Sequence, residues 1–305
     1  MKAKDNKDID FVQNRFSDTS TLLIGERALL NGIRIDGRQL DSYRNINIEF
    51  IGPPGSVIIS FGNTTVFSSV CAEVVEPNSE RPNEGFLFFN AELMPLTSGL
   101  YEPGKASELE QNISCFIESV FKESGSLNLE SLCITSGKHV WAIRVYIHVL
   151  QDDGNLFDVC SFSALASLLH YRIQEVKVVD DTVKISEINW HKGTPLNIYN
   201  IPIPINILIL TEERFLVDPT IFEEQINSTQ IFLVFNQFGE VIWVQKPGGI
   251  PVMLDIIKTA IEIGERKTKQ LYSLLRKELA SNEEMNKNVL KYVNKHYSTP
   301  VIDLE

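Results

Sequence analysis

The chain has 305 residues and a mass of 34.5 kDa, and 43% of its residues are hydrophobic. That composition excludes disordered, collagen-like and low-complexity proteins, and the length suffices for two domains or one large one. Forty acidic residues against 28 lysines and arginines give a net charge of −12, so the surface as a whole repels phosphate backbones and anionic membranes. Nucleic-acid contact therefore requires a local basic patch or partner proteins.

The predicted elements begin with a helix that Ser17 or Asp18 caps and that ends near Leu30, before Gly32. The 18 residues up to that cap lack the apolar run of a secretory signal, and the most apolar stretch, 201–210, is too short to span a bilayer. We therefore expect a soluble intracellular protein without membrane contact.

From Arg44 onward apolar residues alternate with a period of two, which predicts three antiparallel strands joined by tight turns and ending at Val75. Apolar residues at helical spacing then predict an amphipathic helix over 107–122. A long strand is expected over 139–150, with its odd-numbered residues from Trp141 to Val149 on one face. A turn at 152–155, a helix over 157–170 and a hairpin of 176–179 with 182–185 follow.

The second half of the chain predicts strands at 201–210, 231–235 and 241–245, and a long helix after Pro251. The order strand, turn, strand, turn, helix thus occurs at 132–170 and again at 231–269, which suggests two related α+β halves. We accordingly divide the chain into four parts: an N-terminal extension (1–32), a first half (33–190), a second half (195–275) and a polar C-terminal tail (276–305).

The four cysteines, Cys71, Cys115, Cys133 and Cys160, contain no CxxC pair, so neither a disulfide framework nor a zinc site is predicted. We expect them to be thiols of the hydrophobic core. The sequence also lacks the motifs of nucleotide-binding loops, zincins and serine hydrolases.

Acidic clusters are the remaining candidates for chemistry, because carboxylate oxygens suit divalent cations, although turns and solvated faces are the ordinary role of such residues. The clusters are Asp152/Asp153/Asp158, Asp180/Asp181 and Asp218/Glu223/Glu224. Asp218 is the most distinctive of these residues, since it follows three apolar residues at a strand end. His148, beside Arg144 on the second face of its strand, fits either acid–base work or a structural role.

Seven segments, read in order, carry a resemblance to a known family. They are 34–38 (RIDGR) continuing through 43–46 (YRNI), 85–90 (GFLFFN), 101–105 (YEPGK), 130–133 (ESLC), 140–144 (VWAIR), 153–155 (DGN) and 217–219 (VDP). Each segment alone is weak, but together they resemble the ribonuclease PH family, in its branch of eukaryotic exosome subunits, over about residues 18–270.

The resemblance implies an α+β ribonuclease PH fold, in which mixed sheets are backed by helices and six subunits form a ring around an RNA channel. It implies as partners the other ribonuclease PH-like subunits of a hetero-hexameric ring, RNA-binding cap subunits, associated nucleases and RNA. It also implies a place in the nucleus, the nucleolus and the cytoplasm. Active relatives degrade RNA from the 3′ end by phosphorolysis, which needs donors for phosphate and carboxylates near the scissile bond.

The sequence departs from active relatives at both of these requirements. Residues 107–110 (SELE) stand where active relatives carry Gly, Ser and Arg for phosphate, and two carboxylates there repel phosphate. Of the family's two aspartates, only Asp218 is kept, because the position six residues later is Glu224. We therefore expect a non-catalytic subunit without cofactor or metal, in which Asp218 and Glu224 are vestigial. The alternative is an active phosphate-dependent 3′-to-5′ exoribonuclease.

Non-catalytic relatives keep two RNA-binding arginines one helical turn apart, and the corresponding positions here are Cys115 and Ser119. RNA contact must then come from other cations. The candidates are Lys105, Arg81, Lys138, Arg144 and Lys122. Arg144 equally suits a structural ion pair within the subunit.

Overall fold

The structure is a computed structural model that describes residues 19–94, 107–179, 182–185, 193–211, 214–227 and 229–296. In these ranges the helices are α1 Thr19–Leu30, α2 Glu108–Glu123, α3 Leu156–His170, α4 Ile221–Ile226 and α5 Leu254–His296. The first strands are β1 Ile46–Phe50, β2 Ser56–Phe61, β3 Thr64–Val75, β4 Phe86–Leu93, β5 Cys133–Thr135, β6 His139–Gln151 and β7 Arg172–Ile173. The others are β8 Val176–Val179, β9 Thr182–Ile185, β10 Thr194–Pro195, β11 Ile203–Thr211, β12 Arg214–Val217, β13 Gln230–Phe235 and β14 Val241–Gln245.

The first sheet has the order β1-β2-β3-β6-β4, with β5 also paired to β6. All its pairs are antiparallel except β4 with β6. The alternation predicted for β6 is confirmed, because its odd-numbered residues from Trp141 to Val149 are buried. These side chains join residues of α2 and α3 in the larger hydrophobic core.

The second sheet has the order β12-β11-β13-β14, and its apolar face packs against the first part of α5. Further along the same helix, Leu271 and Leu275 are buried in the core of the first sheet. Beyond them, Glu283 forms an ion pair with Arg172 at 2.7 Å. Helix α5 therefore joins the two sheets, and it continues past residue 276 to His296.

Helix α3 is buried on nearly all sides, because it contacts β2 and β3 of the first sheet and β11 of the second. Most side chains of this helix are apolar, and two of its polar side chains bond to the neighbouring sheets. Ser163 Oγ lies 2.8 Å from Ser68 Oγ of β3, and Asp158 Oδ2 accepts a hydrogen bond from the backbone amide of Asn206 in β11 at 2.7 Å. Asp158 thus ties the helix to the second sheet.

The α+β class and the mixed sheets backed by helices are confirmed, while two predictions need correction. The strand expected from residue 201 begins at Ile203, and the core role of the cysteines is wrong for Cys71 and Cys115, which are exposed. Cys71 lies on the open face of β3 and Cys115 on the outer side of α2, so side-chain direction overrides the preference of thiols for the interior. Cys160 is buried, as predicted.

Several expectations lie outside the described residues. They are the helix cap at Ser17 or Asp18, the segment 101–105 with Lys105, and the acidic pair Asp180/Asp181. None of the helices in the described ranges combines the length and hydropathy needed to cross a bilayer.

Candidate functional site

Asp218 lies directly after β12 in a left-handed backbone conformation, with φ of 53°. This conformation turns its carboxylate back into the protein, where the residue is completely buried. An aspartate adopts this region more readily than most residues, because its short polar side chain forms local hydrogen bonds. The carboxylate that the sequence places at this strand end is therefore buried.

Both oxygens of the Asp218 carboxylate are occupied by donors from the first half of the chain. The donors are Arg44 Nη2 at 2.8 Å and Asn155 Nδ2 at 3.0 Å on Oδ1, and Arg44 N at 2.8 Å, Arg44 Nε at 3.0 Å and Arg38 Nη1 at 3.0 Å on Oδ2. Burial raises the pKa of Asp218, but the hydrogen bonds and charge of Arg44 outweigh it and hold the pKa below its ordinary value. The carboxylate is ionised and engaged in the fold.

Glu224 lies on α4, beside the same turn of residues 153–155. Its Oε1 accepts a hydrogen bond from the amide of Asn155 at 3.0 Å. Although the residue is partly exposed, its carboxylate is enclosed by protein, and this burial raises its pKa to about 8. Asn155 therefore separates Asp218 from Glu224 by contacting both. Within the described residues no three His, Cys, Asp or Glu side chains are grouped to hold one metal ion.

A second buried ion pair supports the turn between β12 and α4, which carries Asp218. Arg34 donates to both oxygens of Glu223 at 2.8 and 2.7 Å, and to the carbonyl oxygens of Val217 and Asp218 at 3.0 and 2.9 Å. Both charged side chains are almost fully buried. Sequence reasoning singled out Asp218, Glu223 and Glu224 but missed Arg34, Arg38 and Arg44 as their partners. The only available signal was that these arginines lie in the motif at 34–46.

The N-terminus of α2 is the place where the resemblance predicts a phosphate-binding loop. Here Ser107 Oγ accepts a hydrogen bond from the amide of Glu110 at 3.2 Å, and Glu110 Oε2 accepts one from the amide of Ser107 at 2.6 Å. The other oxygen of Glu110 accepts from the amide of Leu93 at 2.7 Å. A helix N-terminus attracts anions through its free amides and dipole, and here a carboxylate of the chain takes that place.

The fold brings four of the predicted RNA-contact cations to one end of the first sheet. Arg81 and Lys122 border a groove between β4 and α2, and Arg144 lies over the ring of Phe88 in the same groove lining, 5.3 Å from its centroid. Lys138 lies in an adjoining turn, because the amide of Gly137 donates to the carbonyl oxygen of Pro82 at 3.1 Å. Sequence spacing alone does not reveal this grouping.

Acidic residues accompany these cations. Arg81 donates to Glu84 at 3.0 Å, and Arg144 lies 3.4 Å from Glu73. The structural role considered for Arg144 is thus present, although its side chain is still 42% exposed. His148 stacks on Phe67 and lies 3.3 Å from Glu92.

Comparison with known proteins gives two adjoining family matches. Residues 42–174 match the 3′ exoribonuclease family, domain 1, and residues 200–267 match domain 2 of the same family. The chain is 34% identical to Exosome complex component RRP45 of Danio rerio over 267 residues. The aligned region covers 87% of this chain and 68% of that protein. The chain is also 33% identical over 261 residues to Exosome complex component rrp45 of Schizosaccharomyces pombe, covering 84% and 90%.

A solved structure described as the Archaeoglobus fulgidus exosome with RNA bound to the active site is similar, with a TM-score of 0.71 and 27% identity. That likeness covers 83% of this chain and 98% of the other. The chain spans only 61% of the length of the bovine and human relatives that share the zebrafish protein's name.

Proposed function

The chain belongs to the 3′ exoribonuclease family, with the ribonuclease PH-type fold that the sequence predicts, and we propose that it acts as a non-catalytic ring subunit of an RNA exosome. In this role it scaffolds a hetero-hexameric ring and lines the RNA channel during 3′-to-5′ RNA processing and degradation. Its partners are the other ribonuclease PH-like subunits, RNA-binding caps, associated nucleases and RNA. We place the assembly in the nucleus, the nucleolus and the cytoplasm.

The observation that carries the non-catalytic role is the closed N-terminus of α2. Phosphorolysis requires a site for inorganic phosphate, and the carboxylate of Glu110 already takes the amides of Ser107 and Leu93 that face this site. A phosphate placed there loses these donors and meets a negative charge at short range, which opposes binding.

The state of Asp218 supports the same conclusion. Five hydrogen bonds from Arg44, Arg38 and Asn155 occupy its two oxygens, so neither is available for a metal ion or for proton transfer to RNA. The geometry is that of a structural ion pair joining the two halves of the chain.

For RNA contact we propose Lys138 and Arg144 at the end of the first sheet, because Arg81 and Lys122 lie beside Glu84 and Glu118 in the groove lining, where the carboxylates offset their attraction for a phosphate backbone. Cations gathered at one edge fit a chain whose net charge is −12, because the rest of its surface repels RNA. Lys105, which lies outside the described residues, stays a further candidate.

The test is a decay assay of 3′-labelled RNA with inorganic phosphate and Mg²⁺, run on the purified chain and on the chain isolated with its native partners. We expect no nucleoside diphosphate from the chain alone and recovery of the other ring subunits in fixed stoichiometry. Phosphate-dependent release by the chain alone would overturn the proposal in favour of an active exoribonuclease.

RNA contact is tested separately on the isolated complex. Lys138→Ala should reduce the slope of log affinity against log salt for single-stranded RNA by roughly 0.7, the value for one lost phosphate contact. Lys258→Ala is the matched control, because that lysine is exposed on α5 and pairs only with its neighbour Asp255 at 2.9 Å among the described contacts. Equal slopes for both variants would contradict a contact at Lys138.

A further inference from the structure

Strand β4 is an edge strand of the first sheet, and its backbone amides point alternately toward β6 and away from it. The amide of Met94, just after the strand, donates to the carbonyl oxygen of Val149 in β6 at 3.3 Å. The amides of Gly85, Ala91 and Leu93 instead donate to groups outside the sheet. The odd-numbered residues therefore present their amides to the free edge.

The chain itself covers both ends of this edge. It supplies an acceptor to each of three outward amides: Leu129 O at 3.0 Å for Gly85, Ser114 Oγ at 2.9 Å for Ala91 and Glu110 Oε1 at 2.7 Å for Leu93. Leu87 and Phe89 lie between these positions, and the hydrogen bonds found among the described residues include none from their outward amides. Within the part of the chain that the structure describes, a short segment of the strand edge therefore stays open.

This open segment borders the groove between β4 and α2, which has a volume of about 580 Å³. Opposite β4 the lining includes the apolar residues Phe121, Leu127 and Leu129, with Glu118 and Lys122 of α2 beside them. On the other side of the strand the rings of Phe86 and Phe88 stack at 5.8 Å. A strand added at the edge therefore finds apolar surface for the side chains of both its faces.

The charges at the rim favour a peptide over RNA. Arg81 and Lys122 are accompanied by Glu84 and Glu118 in the lining, and Arg81 already donates to Glu84 at 3.0 Å. Two cations beside two carboxylates give a phosphate backbone little net attraction, whereas an uncharged backbone with free carbonyl oxygens satisfies the open amides.

We propose that an extended segment of a partner protein adds to β4 as a further strand. Its backbone pairs with Leu87 and Phe89, and its alternate side chains are apolar and uncharged at the centre, so that one set contacts Phe121 and Leu127 and the other contacts Phe88. The inference does not depend on the ring role proposed above, because it rests on the open strand edge alone.

The test is hydrogen exchange measured by mass spectrometry over residues 85–93, in the isolated chain and in the complex isolated with its native partners after ribonuclease treatment. We expect exchange to be at least about tenfold slower in the complex. Phe88→Lys, which places a charge beside the added strand, should abolish this protection. Phe238→Lys is the matched control, since Phe238 is 71% exposed in the turn between β13 and β14.

Unchanged exchange in the complex would overturn the proposal, as would protection that ribonuclease removes, because RNA is then the occupant. Protection that appears in the isolated chain at high concentration would also overturn it, in favour of a second copy. Equal loss of protection in both lysine variants would show that the effect is not specific to the edge. The protein composition of the complex tests the ring role independently.

Discussion

Replacing Asp218 with alanine should damage the fold rather than a catalytic step. The substitution removes five hydrogen bonds and leaves the charge of Arg44, whose side chain is only 7% exposed, with Asp153 at 3.7 Å as its remaining carboxylate partner. Breaking a buried ion pair by removing one partner costs about 3–5 kcal/mol. We expect the free energy of unfolding to fall by that amount, with alanine also strained at a φ of 53°.

Urea denaturation followed by circular dichroism measures this loss, with the slope against urea checked for a constant value. Asp218→Asn should lie between the alanine variant and the parent, because asparagine tolerates the left-handed conformation but does not carry the charge. Asp255→Ala is the matched control: that side chain is 90% exposed, and a surface pair contributes about 0–1 kcal/mol.

The pH dependence gives a second measure of the same ion pair. Burial raises the pKa of Asp218, yet Arg44 lowers it further than burial raises it, so the folded value lies below the ordinary 3.8. The stabilisation is therefore complete above about pH 4 and is lost as the pH falls. An alanine variant that unfolds at the parent's urea concentration but loses phosphate-dependent RNA decay would refute the structural assignment and make Asp218 catalytic.

Three further predictions concern other carboxylates that the fold engages through hydrogen bonds or ion pairs. Burial raises the pKa of Asp158 from 3.8 to about 7, so between these pH values only the folded state holds this proton. The free energy of unfolding should therefore fall by up to about 4 kcal/mol as the pH rises through that interval. In the Asp158→Asn variant the urea midpoint should vary less with pH, and an unchanged pH profile would contradict this. Glu110→Ala should cost roughly 1–2 kcal/mol in the same urea assay, since it removes half of the capping box and the acceptor of the Leu93 amide. Glu108→Ala, exposed in the same turn, should cost little, and equal costs would argue against a role for these hydrogen bonds. Glu223→Ala leaves buried Arg34 with Asp36, 3.7 Å away, as its remaining carboxylate partner, and should lower the unfolding free energy by about 3–5 kcal/mol. A loss below about 1 kcal/mol would show that the pair with Glu223 contributes little to stability.

The elements that depend on local pattern were predictable from the sequence. The alternation along β6 and the helical spacing of α2 both match the structure, because side-chain direction repeats every two residues in a strand and every 3.6 in a helix. The capping box of α2 also follows a local pattern, a serine with a glutamate three residues later, although only the helix itself was predicted.

The candidate site depended on contacts that no local pattern encodes. Arg44 and Asp218 are 174 residues apart, and only the packing of the two halves brings the guanidinium within 2.8 Å of the carboxylate. The grouping of Arg81 with Lys122 has the same origin, since one lies in the loop before β4 and the other on α2.

By itself the sequence determined the class of fold, the family resemblance and the two carboxylates at Glu108 and Glu110, because these are properties of residue type and spacing. Only the tertiary structure decided that Asp218 is an engaged ion pair, that Glu110 closes the N-terminus of α2 and that the amides of Leu87 and Phe89 meet no acceptor among the described residues. The physical reason is that the charge state and hydrogen bonds of a side chain depend on its neighbours in space, and most of those neighbours are distant along the chain.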